Sequence, residues 1–328
     1  MTQEICSFVL FSPDTYIYIG WGMLLLLSLL VGWACWRSRR RWLPWLLVLP
    51  LLLSWYVFLW GTYVGFGQLE VVRLDYASKD LPAAFDGYKI VQFSDAHVGT
   101  FTGRRQALLL RAVDSINAQH ADMVVFTGDL QNKEPSEIAQ QKGVLGRIKA
   151  KDGVFSVLGN HDYTMYTDLT NPIDIGRNQG NTEGFQYDMG WTLLKNSHHF
   201  ITRDSARIVI AGMENDGEGR FPQLGNINFA LYGVRRSDFV VMLEHDPTSW
   251  RRKILPHSHV QLTLSGHTHG GQISLLGFSP ASLQYKESAG LYKMGDRALY
   301  VSKGLGGVIP FRFGVTPEIV VITLHCAK

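Results

Sequence analysis

The sequence predicts an α/β domain behind an N-terminal pair of hydrophobic helices, on three observations. From about residue 88 onward, short apolar runs alternate with segments of helical periodicity, the pattern of strands joined by crossover helices. Two uncharged apolar stretches precede them, each long enough to span a bilayer. Several of the short runs end in Asp, Asn or His, and in an open α/β sheet ligands collect at the carboxyl ends of strands.

The 328 residues allow one sizeable domain with an appendage, or two small domains. A net charge of +3 gives no reason to expect a nucleic-acid partner. Charged residues make up 18%, sparse for a soluble protein, and much of the deficit falls in the first seventy residues. Cys6, Cys35 and Cys326 are far apart and form no CxxC pair. That excludes a cysteine-rich zinc module and gives no disulfide framework, so they read as free thiols.

The first apolar stretch runs from Tyr16 to Trp36 and the second from Trp42 to about Gly65, with Trp21, Trp33, Trp36, Trp45, Trp60 and Tyr63 near their ends. Such aromatic belts mark membrane–water interfaces. Pro50 falls inside the second stretch, where a kink is tolerable. The competing reading is a cleaved signal peptide followed by a buried core helix. Both runs exceed a signal-peptide core, and no small-residue cleavage site follows the first. The connection Arg37-Ser38-Arg39-Arg40-Arg41 carries four arginines, whereas the N-terminal tail carries Glu4 and Asp14. The positive-inside rule then puts this loop in the cytoplasm and both ends outside. The expected division is a membrane region over 1–67, with helices at about 16–36 and 42–65, and a domain over 68–328.

Polar–apolar alternation in Leu69–Leu74 predicts an edge strand. Tyr88–Phe93 is a strand ending in Ser94-Asp95-Ala96-His97, and Leu108, Leu109, Val113 and Ile116 place a helix within Gly103–Gln119. Asp122–Phe126 is a strand ending in Thr127-Gly128-Asp129, and Ser136–Ile148 is a helix. Val154–Leu158 is a strand ending in Gly159-Asn160-His161-Asp162. The stretch from Tyr163 to Asp238 begins with a loop rich in Asn, Asp and Gly, holds strands at Trp191–Leu194 and Ala206–Ile210, and has a short helix at Ile227–Gly233. Phe239–Leu243 is a strand ending in Glu244-His245-Asp246, and Val260–Leu264 feeds Ser265-Gly266-His267-Thr268-His269-Gly270-Gly271-Gln272. Further strands follow at Ala298–Val301 and Glu318–Leu324.

Each polar strand end, taken alone, is an ordinary turn. Five in succession point to one site. Carboxylate, amide and imidazole donors without thiolate suit Mn, Fe or Zn rather than a structural zinc centre. A carboxylate shared by two ions clamps an in-line displacement, the chemistry that phosphate esters need most.

The ordered set Asp95-x-His97, Gly128-Asp129, Gly159-Asn160-His161-Asp162, His245 and Gly266-His267-x-His269 resembles the calcineurin-like metallophosphoesterases over about Tyr88–Leu324. The extended Leu264–Gln272 segment, Gly290-Leu291-Tyr292, Leu299–Gly306 and Phe311–Ile319 resemble its bacterial membrane-associated branch. The resemblance implies a four-layer αββα sandwich of two mixed sheets and two divalent ions, Mn favoured over Fe or Zn. It places one ion on Asp95, His97, Asp129 and His269 and the other on Asp129, Asn160, His245 and His267, with a hydroxide between them attacking phosphorus. His161 would serve the leaving oxygen, with Asp162 orienting its ring. The resemblance and the apolar hairpin together imply an anchored phosphoesterase of the bacterial cytoplasmic membrane, and the arginine-rich loop puts its domain on the extracytoplasmic side. It would cleave a phosphodiester or pyrophosphate bond of a lipid or cell-envelope substrate.

Two other readings compete. One is a non-catalytic, metal-containing envelope-binding module. The other, for a cytoplasmic domain, is a hydrolase of a nucleotide-linked acylated sugar. His257 and His259 read as loop residues, and His198 and His199 as possible lining of the substrate side. Arg312 reads as a solvated turn residue or a phosphate contact, and Ile273–Phe278 as strand core or a lipid contact.

Overall fold

The computed structural model describes residues 11–38 and 42–327, so Glu4, Cys6 and Arg39, Arg40 and Arg41 of the hairpin loop lie outside it. Helix α1 spans Pro13–Arg37, with Ser12 as its cap and Pro13 at the first position, where a missing N–H costs nothing. Helix α2 spans Leu43–Tyr63. Both are long and apolar enough to cross a membrane. Neither is a core helix, because Leu26, Leu29, Leu49 and Leu52 are all exposed. The two run antiparallel. Trp21 packs on Trp55 and Phe58 and donates its indole N–H to Tyr63, while Trp55 donates to Ser28.

Twelve strands follow among the described residues: β1 (Glu70–Ser78), β2 (Lys89–Phe93), β3 (Met123–Phe126), β4 (Val154–Ser156), β5 (Thr192–Leu193), β6 (Ser197–Arg203), β7 (Ala206–Gly212), β8 (Phe239–Leu243), β9 (Leu262–Ser265), β10 (Gly290–Met294), β11 (Arg297–Val301) and β12 (Glu318–Cys326). They form two six-stranded sheets, ordered β1-β12-β2-β3-β4-β5 and β10-β11-β9-β8-β7-β6. In the first, β2 to β5 run parallel, β12 is antiparallel to β2, and β1 pairs parallel with β12 at the edge. In the second, β7, β8, β9 and β11 run parallel between antiparallel edge strands β6 and β10. Both sheets are mixed, as expected.

The period of two along each strand sets the layers. Ile90, Met123, Val125 and Ile322 of the first sheet meet Ile208, Ile210, Val241, Leu243 and Leu264 of the second in a shared core. Their neighbours Val91, Phe93, Val124 and Phe126 face outward onto helices α3 (Gln106–Asn117) and α4 (Pro135–Leu145). Helix α3 buries Leu108, Leu109, Ala112, Val113 and Ile116, one stripe of a 3.6-residue repeat. On the far side Val209, Val240 and Met242 pack under Ile227, Trp250 and Ile254. Strands buried on both faces read as continuous apolar runs, which made them legible.

Two expectations fail in the variable stretch. Residues read as loop contain helix α5, Pro172–Asp188, capped by Asn171. Gly176, Gly180 and Gly184 lower its intrinsic helix propensity, but packing overrides it. Thr182 and Gln186 are buried, and Phe185 rests on the core beside α4. The sequence also gives no sign of strand β6 there, nor of β10 further on; both are edge strands with almost no fully buried residue and so lack a continuous apolar run.

Candidate metal centre

The carboxyl ends of β2, β3 and β4 in one sheet, and of β8 and β9 in the other, converge. Backbone bonds tie the loops together: Asp95 N–H donates to Gly128 O, His97 N–H to Asp129 O, and Gly266 N–H to His245 O. The side chain of Gln92 crosses from β2 to the Ser265 carbonyl, fixing one sheet's end against the other's. Asp95, His97, Asp129, His267 and His269 all have positive φ, between 43° and 73°. Non-glycine residues rarely adopt that region, and strain of this kind gathers at functional sites. Gly159 has to be glycine for a different reason: a Cβ there would run into the Asp129 carboxylate.

Asp95, His97, Asp129 and His269 form one buried donor cluster, and Asp129, His245 and His267 a second. In the first, His97 Nε2 lies 3.2 Å from His269 Nε2 and 3.5 Å from Asp129 Oδ2, and His269 Nε2 lies 3.4 Å from Asp95 Oδ1. Donors about 2.1 Å from one ion stand roughly 3.0–3.4 Å apart in octahedral or tetrahedral arrangements. The spacing therefore fits. In the second, His245 Nε2 lies 3.2 Å from Asp129 Oδ2, and Asn160 Oδ1 lies 2.8 Å from His267 Nδ1.

In the second cluster the remaining atoms are aimed from behind, as ligating groups require, whereas Nδ1 of His97 and of His269 in the first is buried without a hydrogen-bond partner. His245 Nδ1–H donates to the Thr127 carbonyl at 2.7 Å, leaving the buried Nε2 without a hydrogen-bond partner. His267 Nε2 faces Tyr285 Oη at 3.0 Å and Asp246 Oδ2 at 3.5 Å. Asn160 donates its amide to Tyr166 Oη, which turns its carbonyl oxygen toward His267.

Electrostatics favour the ligand forms of His97, His269 and Asp129, whereas His245 and Asp95 favour the protonated form and would have to release a proton to a bound ion. Burial, with His161 nearby, holds His97 well below its ordinary range, and burial with His97 does the same to His269, so both stay neutral. Burial opposes charge on Asp129, yet His245 and His161 beside it hold its carboxyl well below the usual range. Burial likewise opposes charge on His245, but Asp129 outweighs it and lifts the imidazole to about 10. Burial pushes Asp95 up to about 7.

His161 lies over the cluster, its ring edge-on to His97 and stacked on Tyr166. The structure corrects the expectation that Asp162 orients that ring. The orienting group is the Asn132 carbonyl, 2.6 Å from His161 Nδ1. The Asp162 carboxylate instead accepts backbone N–H bonds from Asp129, Leu130, Gln131 and Gly159, bracing the loop that carries Asp129. Arg312 is neither solvated nor free for a phosphate. It is fully buried, and its guanidinium donates to the carbonyls of His269, Lys303 and Gly306. His198 Nδ1–H donates to the Ala230 carbonyl, and His199 packs on Phe155; neither bonds to a cluster residue. Tyr166, Tyr285 and Asn132 escaped the sequence reading. They lie in loops without a motif, and only the fold brings them to the histidines.

A family profile described as calcineurin-like phosphoesterase matches residues 88–271. The chain is 31% identical over 276 residues to the metallophosphoesterase YkuE of Bacillus subtilis, covering 81% of this chain and 88% of that one. It is 30% identical over 292 residues to a Danio rerio transmembrane protein with metallophosphoesterase domain, covering 85% of this chain and 63% of the relative. To the UDP-2,3-diacylglucosamine pyrophosphatase LpxG of Chlamydia muridarum it is 27% identical over 320 residues, covering 83% and 93%. The chain belongs to the calcineurin-like metallophosphoesterases, metal-dependent hydrolases of phosphoesters. Its two candidate spans and its transmembrane relative both point to membrane association.

Proposed function

We propose that this metallophosphoesterase is held in the bacterial cytoplasmic membrane by residues 1–67 and that residues 68–328 hydrolyse a phosphodiester or pyrophosphate bond of a lipid or cell-envelope substrate. The observation that carries the reading is the pair of buried donor clusters sharing Asp129. Asp95, His97, Asp129 and His269 would hold one divalent ion, and Asp129, Asn160, His245 and His267 the other. The donors mix oxygen with imidazole and include no thiolate, which suits manganese, iron or zinc, and manganese is the ion we favour and test first. Two such ions supply charge for the phosphoryl oxygens and an acidified water.

The chain's own residues supply positioning and proton handling. His161 gives its Nδ1–H to Asn132, so Nε2 is its one nitrogen free to exchange a proton. Burial keeps that ring neutral, and the negative phosphoryl group beside it would raise its proton affinity, equipping it to protonate the leaving oxygen. Asp162 maintains the Asp129 loop. The complete donor set with His161 above it argues against a binding module without catalysis. The arginine-rich loop supports an extracytoplasmic domain. The likeness to a UDP-2,3-diacylglucosamine pyrophosphatase supports a second reading, a nucleotide-linked acylated sugar met on the cytoplasmic face. Alkaline phosphatase fused at the C terminus separates them, being active only outside.

The deciding assay is hydrolysis of bis(p-nitrophenyl) phosphate by the full chain in detergent with Mn, beside Asp129→Asn. We expect a loss of at least ~100-fold with unchanged circular dichroism. Equal activity in both proteins would end the catalytic reading.

A further inference from the structure

The loop between the metal centre and Tyr285 presents an apolar face that the protein itself leaves uncovered. Ile273, Leu275, Phe278 and Leu283 are exposed, and Leu276 is 100% exposed. No charged residue occurs from Ile273 to Tyr285. Leu275 and Phe278 exchange both backbone hydrogen bonds, making a two-residue hairpin with Leu276 and Gly277 at its tip, at φ 52° and 83°. Such turns favour Asn, Asp or Gly at the first tip position. A leucine there is both conformationally strained and fully exposed, and neither cost is offset by a contact among the described residues.

The position of this hairpin says what offsets them. Its base is joined to Phe313: Ile273 bridges to Phe313, and Ser274 N–H donates to the Phe313 carbonyl. The segment 311–313 in turn lies along α2. Arg312 N–H donates to Gly61 O, a side chain at Gly61 would collide with the Phe311 ring, and Phe313 packs edge-on against Tyr56. Tyr56 is seven residues before the end of α2, about 10 Å back along the helix at 1.5 Å per residue. The domain therefore does not sit clear of the helix end. This part of it reaches down beside the apolar helix, and the hairpin hangs from that part.

We propose that residues 273–284 dip into the bilayer interface as a third membrane contact beside α1 and α2, and that the occupant of their apolar face is lipid. The proposal rests on the reading of α1 and α2 as membrane spans. The loop leaves the metal centre four residues after His269 and returns to it at Tyr285, whose hydroxyl meets His267. A phosphoester whose headgroup lies at the bilayer surface would thus reach the cluster along a wall that is itself in lipid. Interfacial burial of several large apolar side chains together outweighs the strain of one left-handed leucine.

The test uses the full chain with Cys6, Cys35 and Cys326 replaced by serine, reconstituted into vesicles of phosphatidylethanolamine and phosphatidylglycerol. Single cysteines at Leu276, Leu283 and Lys149 carry a nitroxide; Lys149 is an exposed residue at the opposite, amino-terminal end of the strands. Collision with oxygen is compared with collision with a water-soluble nickel chelate. We expect the oxygen-to-nickel ratio at 276 and 283 to exceed that at 149 several-fold. Equal ratios at all three sites would overturn the proposal. A nitroxide within α1, at Leu26, reports separately on the spans, and a lipid signal there with a water signal at 276 fails the hairpin alone. A water signal at both fails the anchoring reading itself.

Discussion

The donor cluster and the rim loops around it are built on opposite rules. The cluster is buried, strained and tied from behind: five of its residues sit at positive φ, and each imidazole of the second set has its far nitrogen engaged. The rim, by contrast, is helix α5 with its three glycines and the apolar hairpin around Leu276, both largely exposed. The difference teaches where each kind of information resides. The chemistry is held by short motifs at strand ends, whereas access to it is held by segments whose meaning comes from what they are packed beside.

His161→Asn should give the largest effect that spares the cluster. It removes the exchangeable nitrogen and leaves every cluster donor in place, so turnover of bis(p-nitrophenyl) phosphate should fall roughly 10²–10⁴-fold. Metal content by mass spectrometry should not change, and joint loss of metal would merge His161 with the cluster. Tyr285→Phe tests whether the rim reaches the cluster through His267 Nε2. The expected loss is about 10–100-fold in affinity for the weaker ion, read by metal titration. An unchanged affinity would sever rim from cluster.

Glu137 gives a pH-dependent case at the boundary. Burial pushes its carboxyl up to about 7, although it accepts the N–H groups of Asn132 and Lys133. Its folded value is thus raised above the unfolded one, and the fold favours the protonated form. Between about pH 4.5 and 7 the unfolded chain has released a proton that the folded chain keeps, so stability falls as pH rises through that window and levels off above it. In urea unfolding, Glu137→Gln should remove about 3 kcal/mol of that fall. A slope identical to the wild type would contradict burial as the cause. The smallest effect belongs to α5. A Cβ at Gly176 would meet nothing, so Gly176→Ala should stabilise by about 0.5–1 kcal/mol. Destabilisation would mean that the glycine is needed for something the fold does not display.

The same division explains what could be read beforehand. The strands that carry the donors were legible because both of their faces are buried, and Asp95, His97, Asp129, Asn160, His245, His267 and His269 all follow such runs. Helix α5 was not, since Gly176, Gly180 and Gly184 contradict its propensity and its few buried residues, Thr182 and Gln186, are polar. Asp162 was placed in the right cluster with the wrong task. Adjacency in sequence suggested the His161 ring, whereas the turn of Asn160–Tyr163 points the carboxylate into the amides of the preceding loop. Arg312 could not be read at all, because a guanidinium gathered by backbone carbonyls leaves no pattern in the chain.

That arginine also joins two parts of the molecule that are easily thought of as separable. Its side chain grips the carbonyl of His269, its backbone N–H is bonded to Gly61 in α2, and Phe66, just beyond that helix, is buried against Phe101 in the domain core. The helical hairpin is therefore more than a tether. A chain cut before Gln68 would lose a core side chain and the acceptor that seats Arg312, and the loosening would travel one residue's length to the metal-binding turn. Trimming the anchor to obtain a convenient soluble enzyme would alter the very centre one wished to study.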